Sequence, residues 1–440
     1  MIPIFTRARA NMLSANLLPG TAMAIALALG AAGGAALVAT PVAAKAAKAA
    51  KEAPPKLSKA FTAIVGPLQT ELGALAKKSD PAAIASARTK LDAAFAVAST
   101  PDDKYYVGQF AIQLGTVAKD SVVQRKGIET SLASGQMPAA EVGKFNFYLG
   151  SIAFDQKDYA AARAALTTAI AAGYKENDAE VVLSEAYIAE NQFAQGLAVL
   201  NQAIETRKAA GAVAPENWYR RGLGVAYKAK LLDQAQVFSI ALVRDFPVSE
   251  NWAGAIAVLR EVGRFQAQET LDLMRLVART NSFTETGDYI EYLQAADARR
   301  APGEVLKILD LGMKAGKLST SDVFVSDARA QATARVAADK ASLPALERDA
   351  RAATATGATV IAAGDAFISY DDPAKAEGFY QIAMTKPGVD MGRVLTRLGI
   401  AQADQGKYAD AQATFAKVEG VRKPIAQLWL IYATQKAKSV

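Results

Sequence analysis

The stretch LGSIAFDQKDYAAARAALTTAI, residues 149–170, carries the pattern from which the fold is predicted. A Leu-Gly pair is followed at fixed intervals by Tyr159, Ala162 and Leu166. The same intervals recur near the end of the chain in LGIAQADQGKYADAQATF, residues 398–415. Small residues let two antiparallel helices approach closely, and the polar run between the two halves is typical of a turn. Each stretch therefore predicts a helical hairpin, with Gly150 of the first helix facing Ala162 of the second.

The position of closest helix packing recurs along the chain and serves as a marker. We assign it to Gly108, Gly150, Ser184, Gly222, Ile256, Leu293, Gly364 and Gly399. Most of these markers are 34 to 38 residues apart, and the gap of 71 residues after Leu293 predicts one further pair near residues 318–357. The spacing and the residue types resemble the tetratricopeptide repeat. The chain resembles the exported bacterial type of this family, for which residues 1–44 give the argument below.

The resemblance implies an all-α fold, a right-handed superhelical solenoid of antiparallel helix pairs. We expect repeats over residues 102–423, an N-terminal hairpin cap over 57–101 and a C-terminal capping helix over 424–440. One repeat departs from the pattern. Trp252 and Phe265 occupy their expected positions, but Gln268, Asp272 and Arg275 replace the expected apolar residues.

Composition excludes several classes of chemistry. The 440 residues include no histidine and no cysteine, which removes Ser-His-Asp and Cys-His nucleophiles, thiol redox chemistry and His-containing zinc sites. The sequence also lacks a G-x-S-x-G elbow and a Walker-type glycine loop. We therefore predict a protein that is not an enzyme, with no catalytic residues, no cofactor and no metal site.

The formal net charge of +7 belongs mostly to the beginning of the chain. From Phe61 onward there are 43 basic and 42 acidic residues, so the predicted folded body is nearly neutral. Nucleic-acid binding relies on a clustered basic face, and we predict no nucleic-acid partner.

Residues 1–44 have the features of a signal peptide for the general secretory route. Arg7 and Arg9 precede an apolar run from Thr21 to Ala39, and small residues end at Ala44, where we place the cleavage. The alternative is an uncleaved membrane anchor. Residues 45–56 form a Lys/Ala/Pro linker, or alternatively a basic arm. A periplasmic or secreted protein without stable membrane insertion after cleavage is the expectation.

The resemblance to tetratricopeptide repeats implies a concave groove lined by the first helix of each pair, where a partner binds. Transferring the lining positions also places Glu250, Ala253 and Ala257 in this groove. The Lys/Asn carboxylate clamp of some family members is absent. The predicted partner-binding residues are Lys144, Phe147, Ser151, Phe154, Glu185, Tyr219, Arg220, Arg221, Lys228 and Arg260.

Two local features have a simpler interpretation beside the functional one. The cluster Trp218-Tyr219-Arg220-Arg221 has the composition of a binding hot spot, but Trp218 also fits the core aromatic of the repeat. Asp102-Asp103 and Asp371-Asp372 pair carboxylates, yet both lie beside a proline at a predicted helix boundary, which favours helix capping over metal or acid–base chemistry.

The sequence thus predicts a protein-interaction scaffold of the cell envelope with protein partners. A structural spacer or a self-assembling solenoid is the alternative, and an enzyme that uses carboxylate chemistry is a third class. The sequence sets no oligomeric state.

Overall fold

A computed structural model describes residues 55–78 and 80–439. These residues form α-helices joined by short turns, and no strand occurs among them. The predicted signal peptide, residues 1–44, lies outside the described residues, and so does the linker except for its last two residues. These described residues divide into two compact units, and the division falls between Val199 and Leu200.

The first unit is a series of helical hairpins whose successive helices pack against each other. Its helices are α1 (Lys59–Leu75), α2 (Pro81–Val97), α3 (Pro101–Ala118), α4 (Ser121–Ala133), α5 (Ala139–Asp155), α6 (Tyr159–Ala171) and α7 (Ala179–Ala189). The boundary between the units falls within α8 (Phe193–Ala209). The predicted N-terminal hairpin corresponds to α1 and α2, and Phe61, Leu68 and Phe110 are buried in the core that these helices share with α3.

The second unit continues the pairing of antiparallel helices, and a large apolar core extends from Val243 to Ala433. Its helices are α9 (Glu216–Lys228), α10 (Leu232–Asp245), α11 (Ser249–Gly263), α12 (Ala267–Thr280), α13 (Thr286–Ala296), α14 (Pro302–Lys314), α15 (Val323–Arg351), α16 (Gly357–Ser369), α17 (Pro373–Ala383), α18 (Met391–Asp404), α19 (Tyr408–Phe415) and α20 (Lys423–Ala437), with a 3₁₀ turn, η1 (Gly420–Arg422), before the last.

Acidic and hydroxyl side chains begin many of these helices, because the first N–H groups of a helix have no acceptor within it. Asp372 accepts from the backbone N–H of Lys375, and Asp103 completes a capping box with Thr100. Helix capping is therefore confirmed for one residue of each acidic pair, Asp103 and Asp372. Polar turns separate the helices of a pair, as at Gly406, whose φ of 74° is in the left-handed region.

The marker glycines lie where two helices approach too closely for a side chain. A Cβ on Gly150 would press against Leu166 and the carbonyl oxygen of Ala162. This contact confirms that Gly150 faces Ala162. In α9, a Cβ on Gly222 would collide with the ring of Phe238 on α10. The all-α arrangement of antiparallel, tetratricopeptide-like pairs is confirmed.

The prediction of a helix pair near residues 318–357 is wrong. This segment contains one helix of 29 residues, α15, which runs through Pro344. It contains no glycine between Val323 and Arg351, and no cluster of turn residues interrupts its alanine-rich sequence. The helix continues through Asp339, Ser342 and Pro344, so no turn starts a second helix here. Gly303 of α14 lies directly against Tyr370 at the end of α16.

The last helix packs on the last pair, as the sequence predicts. Leu428 and Trp429 of α20 are fully buried, and the Trp429 ring stacks on Phe415 of α19 with 5.9 Å between ring centroids. Gln435 of α20 also donates to the carbonyl of Val243 in α10. The C-terminal helix therefore contacts an early helix of its unit as well as the last pair.

No helix of the described part of the chain is both long enough and apolar enough to span a bilayer.

Two glycines of α9 give a matched test of the pairing. Gly222→Ala would force the Phe238 ring to move, and we expect a loss of about 1–3 kcal/mol in the free energy of unfolding. Gly224 has nothing within 4 Å of the added methyl group, so Gly224→Ala should stabilise α9 by up to about 1 kcal/mol. Urea denaturation followed by circular dichroism measures both, and equal effects would contradict the helix contact at Gly222.

Candidate functional site

In the first unit the predicted groove residues lie on α5 and α7. Lys144 is half-buried 3.7 Å from Glu141, and Ser151 donates to the carbonyl of Phe147 in the preceding turn. Phe147 is 7% exposed and stacks on Tyr174 at 5.1 Å, while Phe154 contacts Tyr159 edge to face. Glu185 is half-buried on α7. Phe147 therefore contributes to packing rather than to an open surface.

In the second unit the predicted residues of α9 do not share one environment. Tyr219 is fully buried and donates to Asp245 at 2.8 Å, so it is a core residue and not accessible to a partner. Trp218 is buried as well, which agrees with its interpretation as a core aromatic. Arg220 and Lys228 are exposed, and Arg221 is half-buried. Arg220 donates to Glu216 and to Asn251.

The predicted positions of α11 come together. Glu250, Ala253, Ala257 and Arg260 line one cavity of about 340 Å³ whose opposite wall includes Ser282, Glu285 and Asp288. Ile256 and Val277 form its apolar floor. We call this cavity the α11 groove. It is formed by the first helix of one pair and the start of the next pair, which is the arrangement that the repeat pattern predicts.

The charged side chains of the α11 groove differ in how far nearby groups compensate them. Arg260 is held by Asp288 at 3.0 Å and by Glu291, so its charge is compensated. Burial would raise the pKa of Asp288, but the N–H of Thr284, other donors and Arg260 together lower it. Glu250 and Glu285 are exposed at the rim. The groove is therefore acidic at its edges and apolar at its floor.

A second feature of this unit is an ionic cluster at the centre of α12. The carboxylate of Asp272 is completely buried and accepts from Arg275 at 3.2 Å, from Arg397 at 2.9 Å and from Arg422. Its backbone carbonyl accepts from the indole N–H of Trp429. We define the Asp272 cluster as Asp272, Arg275, Glu304, Asp365, Arg397 and Arg422.

The other two carboxylates of the cluster balance its arginines. Glu304 forms a bidentate pair with Arg275 at 2.8 and 2.7 Å and also accepts from Tyr292. Asp365 accepts from Arg397 at 2.6 Å and from Tyr380 at 2.8 Å. Three guanidinium groups and three carboxylates thus neutralise each other, as burial requires, since an uncompensated buried charge is very costly.

Burial alone would raise the pKa of Glu304, but the charge and hydrogen bonds of Arg275 outweigh this effect and lower the pKa to about 2. The pKa of Asp365 is lowered in the same way, against its burial, by Arg397 and Arg393. Burial and the nearby Asp365 raise the pKa of Tyr380 well above its usual value. The carboxylates of Glu304 and Asp365 are therefore charged at neutral pH.

Sequence reasoning did not predict this cluster, although one signal pointed to it. Gln268, Asp272 and Arg275 are the residues that break the apolar pattern of their repeat, and the structure shows why. Arg397 donates to both Gln268 and Asp272. The polar residues fit the core because their partners come from α14, α18 and η1.

Among residues 55–78 and 80–439, no group of three or more acidic side chains is arranged to hold a metal ion.

Comparisons with known proteins give matches among solved structures. No family model and no curated protein sequence matches the chain. Solved structures do match, 71 chains in all. They include a structure of Naa15/Naa10 bound to HypK-THB, with 14% identity and a TM-score of 0.24, where the match covers 86% of this chain and 72% of that one.

Two further matches are of the same quality. The APC/C hetero-tetramer Cut9-Hcn1 has 12% identity and a TM-score of 0.20, with 87% of this chain and 84% of that chain covered. The pentatricopeptide repeat protein PPR10 from maize has 11% identity and a TM-score of 0.24, with 86% and 66% covered. Superpositions this loose carry no argument about partners. The helix pairs themselves define the protein as an all-α helical-repeat protein with tetratricopeptide-like hairpins.

The lowered pKa of Glu304 predicts acid sensitivity. A carboxylate with a folded-state pKa of about 2 and an ordinary value of 4.5 stabilises the fold fully above pH 4.5, and this contribution is lost as the pH falls toward 2. The shift corresponds to about 3 kcal/mol in the free energy of unfolding. Urea denaturation of the native chain at pH 7, 5, 4 and 3 should show this loss.

Glu304→Gln should be less stable at pH 7 and should depend less on pH over this range. The exposed Glu419 offers the control, because Glu419→Gln should keep the native pH profile. If Glu304→Gln and the native chain showed parallel profiles, the charge of Glu304 would not stabilise the second unit.

Proposed function

We propose that this chain is a non-enzymatic scaffold of the cell envelope that binds an extended segment of a protein partner along the α11 groove. The observation that carries the proposal is the agreement between repeat pattern and geometry. Residues that the pattern assigns to a partner-binding face line one open cavity of about 340 Å³. The envelope location is supported by the sequence of residues 1–44 alone.

The chemistry of the groove indicates which segment it binds. Its floor, formed by Ile256 and Val277, is apolar, and its volume of about 340 Å³ favours small apolar side chains. The carboxylates of Glu250 and Glu285 stand exposed at the rim, where they complement a positively charged residue. We infer a partner segment that combines small apolar residues with lysine or arginine.

One of the predicted residues of α9, Arg220, adjoins this groove. The guanidinium of Arg220 lies 3.6 Å from Glu250 and donates to Asn251 at the start of α11. Arg220 therefore lies beside the rim carboxylate and partly compensates its charge. A role of this kind differs from direct contact with the partner, which the sequence alone suggested.

Ala257 provides the direct test, because its side chain is exposed in the groove and its replacement leaves the core intact. Ala257→Arg should fill the groove and reduce the amount of partner captured from an envelope extract by roughly tenfold or more. The matched control is Ala334→Arg at an exposed position of α15, which should capture as much partner as the native chain. Quantitative mass spectrometry of the captured proteins measures both.

A photo-crosslinking residue shows where on the chain the captured partner binds. p-Benzoylphenylalanine in place of Ala257 should give an adduct with the captured partner, and the same residue in place of Ala334 should give none. Equal capture by both arginine variants would contradict a partner site in the α11 groove. Self-association in light scattering, without any captured partner, would favour the spacer alternative, and hydrolase activity abolished by one Asp or Glu substitution would favour the enzyme alternative.

A further inference from the structure

A second and larger cavity lies in the second unit, next to the Asp272 cluster. Its volume is about 610 Å³, within the range of roughly 300–1,000 Å³ in which proteins hold small molecules. Its walls come from α12, from the start of α16 and from the turn that joins α17 to α18. We call this cavity the arginine pocket, because Arg275, Arg300, Arg393 and Arg397 all line it.

Two carboxylates, those of Asp365 and Asp390, line the pocket with the four arginines. Asp272 and Glu304, which do not line it, pair with Arg275 and Arg397. Arg275 and Arg397 are committed to the Asp272 cluster and hold their positions rigidly. Arg300 is exposed, and within the described part of the chain its side chain has no hydrogen-bond or ion-pair partner. One terminal nitrogen of Arg393 donates to Asp365, whereas its other terminal nitrogen has no hydrogen-bond acceptor in the described part of the chain and is not buried; its Nε is buried and out of reach of a ligand. Two guanidinium groups therefore retain donors for a ligand.

The start of α16 adds backbone donors to the same cavity. Thr356, Gly357 and Ala358 line the pocket, and the Thr356 hydroxyl caps the N–H of Thr359. The N–H groups of Gly357 and Ala358 precede the first hydrogen bond of the helix and have no acceptor within it. The N-terminus of a helix of this length attracts anions through these groups and its dipole.

The remaining wall of the pocket is apolar. Leu271, Ile361 and Val389 line it together with alanines and Pro387. Gly357 lies so close to Val389 that a Cβ there would collide with it, which keeps the start of α16 against this wall. An occupant that satisfies both parts of the pocket therefore has a charged end and an apolar body.

We propose that the arginine pocket binds a small organic anion, with a carboxylate or phosphate head group on an apolar body. The head group is placed against Arg300, the unpaired terminal nitrogen of Arg393 and the first N–H groups of α16, and the body lies against Leu271, Ile361 and Val389. Guanidinium groups suit both head groups because their paired N–H donors match two oxygens of either. This site lies outside the α11 groove and does not depend on a protein partner there.

Isothermal titration calorimetry of the folded chain with four probes tests the proposal. Benzoate and phenyl phosphate carry the two head groups on one apolar ring, inorganic phosphate carries the head group alone, and benzamidine reverses the charge. At least one of the two aromatic anions should bind with a dissociation constant below about 1 mM, and the tighter of them identifies the head group. Inorganic phosphate should bind at least tenfold more weakly and benzamidine not detectably. Benzamidine binding as tight as the anions, or no anion binding at 10 mM, would overturn the proposal.

Variants then locate the site. Arg300→Gln should weaken the preferred anion about tenfold, since a hydrogen bond to a charged group is lost. Arg299→Gln removes the neighbouring exposed arginine, which does not line the pocket, and should leave the affinity unchanged. Ala358→Glu places a carboxylate at the start of α16, where it suits the helix dipole, so the fold should stay intact while anion binding disappears. Unchanged affinity in Arg300→Gln and Ala358→Glu would place the anion elsewhere and refute the assignment.

Discussion

The carboxylate of Asp272 is the group on which the second unit depends most. It is fully buried at the centre of α12, where an unpaired charge would be incompatible with a stable fold. Three guanidinium groups surround it, and two of them come from residues 125 and 150 positions further along the chain. Because the charge requires these partners, α12 must lie beside α18 and η1 whenever the unit is folded.

This constraint separates the second unit from a plain stack of repeats, in which each hairpin contacts only its neighbours. Trp429 donates to the backbone of Asp272, so α20 belongs to the same arrangement. The cluster also fixes the arginine pocket, since Arg275 and Arg397 form part of its wall while they hold the buried carboxylates. Rigid charges beside a cavity favour selective binding, because little ordering is needed when a ligand enters.

The sequence predicts the local part of this structure well. The Leu-Gly, aromatic and alanine positions each report contacts within one hairpin or between adjacent hairpins, so residues 149–170 suffice to predict α5 and α6. The sequence does not predict the single long helix α15, because a regular repeat length was assumed for a segment in which Pro344 is accommodated inside one helix. The predicted positions of α11 line one cavity, and their role in partner binding stays a prediction. Tyr219 is a core residue, since the repeat pattern alone does not say how neighbouring helices bury a given turn. The partners of Asp272 could not be predicted, because pairing across 125 residues leaves no local periodicity.

Hydrogen exchange measured by mass spectrometry provides a direct test of the role of Asp272. If the Asp272 cluster joins α12 to the C-terminal end of the second unit, amides of α12 and α20 should exchange with the same opening free energy in the native chain. Asp272→Asn should then accelerate exchange in both helices together, and the hairpins of the first unit should be unaffected. Rapid exchange of α20 alone, as in the fraying end of an open repeat array, would contradict this role of Asp272.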